Sequence, residues 1–439
     1  MTPLTKRALI LGTTAIAVTA VTVAVAGVGV NFSRGVSLLK DGPKELVDEV
    51  WSVIDHSYVD ATFNQTDWRA VRRDYLGREY SDKKAAYGAI REMLKKLNDP
   101  YTRFMDPEEF KNMKIDTSGE LTGVGIQLAA DEKTKKLTVI SPIEGSPASS
   151  AGVLSKDIII RINEKSTEGM DVNTAVTLIR GPLGTSVKLT MQRGEKVLDY
   201  ELKRDRIEIH PVRYNVQKSA IGDIGYIRLN QFSAPAVKEM RDAIRKLEAQ
   251  NVSGYILDLR SNPGGLLNAS VDIARMWLRE GGIVSTVDRQ GGSDRQSANN
   301  SALTDKTMVV LVDGGSASAS EILSGALQDN KRAKIVGIRT FGKGLVQSVR
   351  ELSDDESGIA VTIAKYLTPN GRDIHKHGVD PDVEIKLTEE QQKVLLLDRD
   401  KIGTSNDPQF AKASQVLIEE FNSKKATRAA KYHPFEQHQ

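Results

Sequence analysis

The sequence predicts an α/β chain of the multidomain α+β kind: a helical N-terminal region, a β-rich module with short helices, and an α/β core. Apolar residues recur at helical spacing up to about residue 115, and short strands punctuated by glycine fill about 117 to 205. Strand–turn–helix units then alternate from about 206 onward. At 439 residues the chain exceeds one typical domain.

Lys6 and Arg7 precede an uncharged stretch from Ala8 to Phe32, and polarity returns at Arg34. A basic start followed by an apolar run reads as an export signal. Ala24-Val25-Ala26 has the small-x-small form of a cleavage site. The run, at roughly 20 residues, is also long enough to span a bilayer uncleaved. Thr13, Thr14, Thr19 and Thr22 among β-branched valines make a poor water-soluble helix. Residues 1–32 are therefore a signal peptide or a membrane anchor, with both readings open.

The helical region is expected over 43–116. Leu46, Val50, Trp51, Ile54 and Tyr58 share one stripe, as do Tyr87, Ile90, Leu94 and Leu97, and Asn98-Asp99-Pro100 stops the second helix. Such stripes are plain core. In the module, over 117–205, strands are expected at 137–140, 157–162 and 187–191, with a longer helix over 171–180. The core, over 206–395, should carry strands at 225–229, 254–259 and 308–312. Helices should begin near Pro235, run up to Trp277 and cover 319–328, with Ser233 placed to cap the first. From 396 to 439 the chain reads as a polar tail with one amphipathic helix marked by Phe410, Leu417 and Phe421.

Composition narrows the chemistry. Lys and Arg number 61 against 58 Asp and Glu, a net charge of +3 without a long basic block, so nucleic acid is not an implied partner. Cysteine is absent, which removes disulfides, thiol nucleophiles and thiolate metal sites.

Two segments could carry a reaction. Ser316-Ala-Ser-Ala-Ser-Glu321 lies between a buried strand and a helix, where unpaired backbone amides favour developing negative charge. Ser318 and Glu321 equally match a helix capping box, and spacing alone does not choose among Ser316, Ser318 and Ser320. The second segment is Gly342-Lys343-Gly344. With Gly337 it nearly fits a phosphate-binding loop, but glycine stands where the magnesium-binding hydroxyl belongs, and a strand rather than a helix follows. Flanking glycines instead let other backbone close around the lysine. An enclosed lysine can lose its proton and act as a base. Only about one lysine in 10³ to 10⁴ is neutral at pH 7, and enclosure must supply about 4 kcal/mol to change that. Gln347 lies four residues on, which in a strand puts it on the lysine's face. His375 and His377, with Asp373 and Asp380 close by, match no zinc motif, and no metal is expected.

At these residues the chain resembles the carboxyl-terminal processing (tail-specific) proteases of the cyanobacterial and chloroplast-like type, from about 44 to 390. The resemblance rests on Leu97-Asn-Asp-Pro-Tyr-Thr102, Thr122-Gly-Val-Gly-Ile126, Gly145-Ser-Pro-Ala148 and Arg260-Ser-Asn-Pro-Gly-Gly265. It continues through Gly315 to Glu321, Thr340-Phe-Gly-Lys-Gly344 and Leu367-Thr-Pro-Asn-Gly-Arg372. It implies a crotonase-like serine protease core with a Ser–Lys dyad and no cofactor. The family serine lies 25 residues before the lysine and the glutamine four after it, which selects Ser318, Lys343 and Gln347. The family's oxyanion hole maps to Ala319 and to Gly264 or Gly265. Asp329 also matches a family position; eleven helical residues carry it roughly 16 Å from Ser318, so it reads as structural.

The same resemblance makes residues 117–205 a PDZ domain, in which an extended tail adds to a sheet edge while loop amides bind its carboxylate. Val124, Gly125 and Ile126 supply that loop. Arg180 matches a position implicated in coupling tail binding to activity, and could equally cap its own helix. The implied partners are protein substrates bound by their C-terminal tails, in the periplasm or thylakoid lumen. Maturation of the photosystem II reaction-centre precursor is one such task. The N-terminal segment would contact the membrane, and the helical region leaves room for a homodimer. The rival is an inactive PDZ-containing binding protein or chaperone.

Overall fold

The computed structural model describes residues 42–131, 134–354 and 356–432. The export segment expected over 1–32 lies outside them. Among the described residues, no helix is long and apolar enough to cross a membrane.

The N-terminal region holds α1 (Pro43–Ser57), α2 (Trp68–Leu76) and α3 (Lys83–Lys95), followed by β1 (Arg103–Met105) and α4 (Pro107–Ser118). Asp67 and Asp82 cap α2 and α3 by accepting the N–H groups of Ala70 and Ala85. Trp51 and Trp68 each donate an indole N–H to the other's carbonyl, at 2.7 and 3.2 Å, which satisfies both polar edges inside an apolar cluster.

The module contains β2 (Glu120–Gly123), β3 (Ile126–Ala130), β4 (Leu137–Pro142), α5 (Pro147–Ser150), β5 (Ile158–Ile162) and β6 (Lys165–Ser166). It continues with α6 (Val172–Ile179), β7 (Ser186–Arg193), β8 (Lys196–Lys203) and β9 (Asp205–Glu208). Its main sheet runs β3-β4-β5-β7-β8, and β2 pairs with β9 as a separate ribbon that joins the module to its neighbours. Val139, Ile159, Leu189 and Met191 fill its core.

The core begins with β10 (Val212–Ser219), β11 (Gly222–Leu229), α7 (Ala236–Ala249), β12 (Gly254–Asp258) and α8 (Leu267–Trp277). Next come β13 (Gly282–Asp288), β14 (Ser293–Ser297), β15 (Thr307–Val312), α9 (Ala319–Asp329) and β16 (Lys334–Gly337). β17 (Leu345–Glu351), β18 (Gly358–Leu367), β19 (Val383–Glu384), α10 (Glu389–Leu397) and α11 (Pro408–Tyr432) complete it. The central sheet runs β10-β11-β12-β15-β16-β19, parallel except for β10. Both β12 and β15 are buried along their whole length, as expected for strands covered on two faces. Tyr255, Leu257, Val310 and Val312 pack toward α7, α8 and α9, while Ile256, Val309 and Leu311 pack toward α11.

Two sequence expectations need correction. The α7 helix is not capped by Ser233: its N-cap is Pro235, whose helical φ and ψ extend the turn, and no side chain caps it. The segment beyond 396 carries the one amphipathic helix that was expected there. Its helix α11 buries Phe410, Ala413, Val416 and Leu417 as the second cover of the central sheet. Each large apolar side chain there contributes about 1.5–3 kcal/mol. Alternation from Lys343 to Gln347 also fails, because β17 starts only at Leu345 and a bulge separates Val346 from Gln347.

A second sheet runs β1-β18-β13-β14, with β17 also paired to β18. Ile359 and Val361 of β18 pack into the helical cluster of α1, α2 and α3. Through β1, the N-terminal region therefore delivers residues 99–103 to the edge of β18.

Candidate active site

In a parallel sheet covered by helices, side chains and amides converge beyond the carboxyl ends of the strands. Here the loops leaving β12 and β15 meet there. Asn262, in the first loop, holds them together. Its amide donates to the Leu229 carbonyl at 2.8 Å, and its own carbonyl accepts the Ala317 N–H at 3.0 Å and the Ser320 hydroxyl at 2.9 Å.

Ser318 ends the second loop with φ 58° and ψ −112°, a conformation rare for a residue with a side chain. Such strain costs on the order of 1–3 kcal/mol and persists only where the surroundings impose it. The three nearby serines differ in one respect. Ser316 donates its hydroxyl to the Leu259 carbonyl and Ser320 to that of Asn262. Ser318 Oγ, the serine half of a capping box with Glu321, is buried with no hydrogen-bond partner.

The other half is larger than a cap. Glu321 Oε2 accepts the backbone N–H of Ser318 at 2.7 Å and that of Lys343 at 2.8 Å. Its Oε1 accepts the Gly342 N–H at 2.7 Å and the Thr340 hydroxyl at 2.5 Å. Burial pushes the Glu321 carboxyl up from its ordinary range, while these bonds pull it back. Sequence alone showed Glu321 only as a capping residue.

Lys343 is almost fully buried. The turn 375–378 passes against both flanking glycines. A Cβ on Gly342 would lie 3.1 Å from the backbone of His377 and Gly378, and one on Gly344 would lie 2.6 Å from His375 N. Burial and the Arg103 guanidinium lower the lysine to a pKa of about 7, against the opposing pull of Asp99 and Glu321. Its Nζ stands 5.1 Å from the centre of the Tyr101 ring, and its carbonyl accepts the buried Tyr366 hydroxyl. Gln347 is buried as well. It pairs with Thr362 across β17 and β18, and its Nε2 reaches Thr362 Oγ1 at 3.4 Å. Arg103 and Tyr366 were not singled out from sequence; Asp99 and Tyr101 stood there only within the Leu97–Thr102 motif, Asp99 also as part of a helix stop, and neither with a role at the site.

The glycine turn faces the serine. A Cβ on Gly264 would stand 2.9 Å from Ser318 Cβ and 3.0 Å from Ala319 N, and one on Gly265 would strike the Phe232 carbonyl at 2.2 Å. The Gly264 N–H donates to Asn262 Oδ1 at 2.9 Å. Among the described residues, the N–H groups of Gly265 and Ala319 carry no hydrogen bond.

Val124, Gly125 and Ile126 lie in the β module, apart from this cluster. Gly125 has φ +77°, and a Cβ there would meet Ser146 at 2.2 Å. Ile126 opens β3, an edge strand of its sheet, with α6 packed beside it. Arg180 is the C-cap residue of α6, its backbone N–H donating to the Val176 carbonyl at 2.8 Å, and Arg204 adds side-chain donors to the carbonyls of Ile179 and Leu178. Arg180 reaches out of the module to Asn112 of α4 at 2.5 Å. Asp329, at the far end of α9, accepts the Asn370 N–H and pairs with Arg372.

Both larger parts of the chain resemble known proteins. The pattern of "Peptidase family S41" matches residues 223–385 and that of "PDZ domain" residues 112–192. A carboxyl-terminal-processing protease of Synechocystis sp. is 47% identical over 342 residues, covering 77% of this chain and 80% of the relative. The chloroplastic carboxyl-terminal-processing peptidase 2 of Arabidopsis thaliana is 41% identical, over 76% of this chain and 67% of its own length. A solved structure of a photosystem II D1 C-terminal processing protease superposes with a TM-score of 0.56 at 36% identity. It covers 84% of this chain and 100% of its own.

Proposed function

This chain belongs to peptidase family S41, among the carboxyl-terminal-processing proteases, and from that premise we propose that it cleaves peptide bonds with Ser318 as nucleophile and Lys343 as general base. The chain is a serine protease with a PDZ domain and acts on protein substrates. At a pKa of about 7, roughly half of the Lys343 amines are neutral at pH 7, a gain of about a thousandfold over an exposed lysine. The amine takes the proton of Ser318 Oγ as that oxygen attacks the peptide carbonyl. Negative charge then develops on the carbonyl oxygen, where the N–H groups of Ala319 and the Gly264-Gly265 turn receive it. Of the two glycine amides, that of Gly265 has no competing partner, and the bond from Gly264 to Asn262 shapes the turn. Lys343 next protonates the leaving amine, and water releases the acyl group. Gln347 orients the amine.

Capture of the substrate falls to the PDZ domain. The open edge of β3 accepts an extended tail as an added strand, and the amides of Val124, Gly125 and Ile126 hold its terminal carboxylate. Arg180 links that domain to α4 and so reports tail binding to the rest of the enzyme. The substrate we infer is a photosystem II reaction-centre precursor with a C-terminal extension, processed in the thylakoid lumen or periplasm. Residues 1–32 direct export there.

One observation supports the reading above all: the single uncommitted hydroxyl of the serine loop belongs to Ser318, whose backbone shares an oxygen of Glu321 with Lys343. The test is Ser318→Ala, assayed on an unstructured-tail substrate and by mass spectrometry of membrane and lumenal precursors. Loss of cleavage with intact tail binding supports the peptidase. Cleavage that persists removes Ser318 as the nucleophile, whereas a parent protein that binds tails without cleaving them is the PDZ-containing binding protein.

A further inference from the structure

We propose that Asp99, delivered by the N-terminal helical region, is a positioning residue that fixes which end of the Gln347 amide faces the Ser318–Lys343 pocket. This rests on the dyad proposed above. Asp99 Oδ1 accepts the Tyr101 N–H at 2.9 Å, and Oδ2 accepts the hydroxyls of Thr102 and Thr362, each at 2.8 Å. A carboxylate has no proton to give, so both hydroxyls must donate to it. Thr362 has one hydroxyl proton, and once that proton points at Asp99 its oxygen can only accept. What it accepts is Gln347 Nε2–H, at 3.4 Å, and catalytic hydrogen bonds are often long until substrate binds. The other end of the amide, Oε1, is then turned away from Thr362, and it is buried with no hydrogen bond. A buried carbonyl left in that state is costly, and such groups are kept where a reaction needs them.

The polarity matters because a neutral amine has two N–H donors and one lone pair. An acceptor at its side takes an N–H and leaves the lone pair for the proton of Ser318. Were the amide reversed, its Nε2–H would occupy that lone pair and quench the base. The direction of one hydrogen bond, set at Asp99, thus passes through Thr362 to Gln347.

The experiment is a double-mutant cycle on the full-length protein with an unstructured-tail substrate. In Asp99→Asn the new amide can donate to Thr362, which then turns its proton toward Gln347 and reverses that side chain. We expect kcat to fall about tenfold to a hundredfold, with KM within about twofold. Gln347→Ala should lose about as much, and the double variant no more than either. Losses that multiply, or an Asp99→Asn enzyme within twofold of the parent, overturn the proposal. Should Asp99→Asn fail to fold, Thr362→Val must reproduce the kcat loss and Thr362→Ser recover most of it; equal behaviour of the two overturns it also. A parent enzyme that needs Ser318 but shows multiplying losses removes the role of Asp99 alone, whereas cleavage by Ser318→Ala removes the dyad itself.

Discussion

Ser318 and Lys343, 25 positions apart in the chain, donate their backbone N–H groups to one atom, Glu321 Oε2, at 2.7 and 2.8 Å. The serine sits before a helix and the lysine before a strand, so neither element fixes the other. A single buried carboxylate does.

Glu321→Gln should therefore damage both catalysis and stability. An amide presents one acceptor and one donor where four donors now converge, leaving at least one backbone N–H facing an NH₂ group. A loss of about 2–4 kcal/mol is expected, seen as a lower urea midpoint at unchanged slope, together with a fall in kcat.

Activity should rise with pH through about 7 and level off above it, as Lys343 loses its proton. A profile of kcat/KM that stays flat from pH 5 to 10 contradicts a lysine base.

Stability follows the same titration. The lysine's folded pKa, about 7, lies below its ordinary 10.5, so between these values the unfolded chain holds the extra proton. Stability then rises with pH across that window, and the full cost of the buried ammonium is felt below pH 7. Lys343→Met, inactive but apolar, should be more stable than the parent at pH 6, by a margin that shrinks toward pH 10. Thermal melts at both values check this.

Gly264→Ala should cut kcat about 10²–10³-fold. Its φ is +105°, and the added methyl would press on Ser318 Cβ and Ala319 N. Steady-state kinetics with a short peptide, independent of PDZ capture, measures it.

Asp407→Ala should loosen α11. Arg260, two residues after β12, pairs with both Asp258 and Asp407 in a buried network that Tyr226 joins through Asp258. Removing one carboxylate leaves part of the guanidinium charge unmatched, at a cost of about 3 kcal/mol. Faster amide exchange along residues 408–417 is the measurement.

Much of this was legible in the sequence, for identifiable reasons. Unbroken apolar runs gave β12 and β15, and helical spacing gave α1, α3, α7 and α9. The glycines around Lys343 announced a close passage of backbone, which the 375–378 turn supplies. Other features were hidden because one pattern serves two purposes. Ser318 and Glu321 spell a cap whether or not the carboxylate also holds a second segment. Asp99 ends a helix in any sequence, and only the pairing of β1 with β18 reveals that it faces Thr362. Gln347 pairs with Thr362 after a bulge, which simple alternation from Lys343 does not encode. The docking of α11 depends on which face of a distant sheet stands bare, which local periodicity does not encode.

The reacting pocket draws on residues 99–103, 262–265, 318–321, 343–347 and 362–366, so it is assembled from contacts spanning more than half of the polymer. Long-range closures of this kind come late in folding. On the proposed dyad, a half-folded copy carries its serine with no lysine placed to activate it, so cleavage waits on completion of the topology.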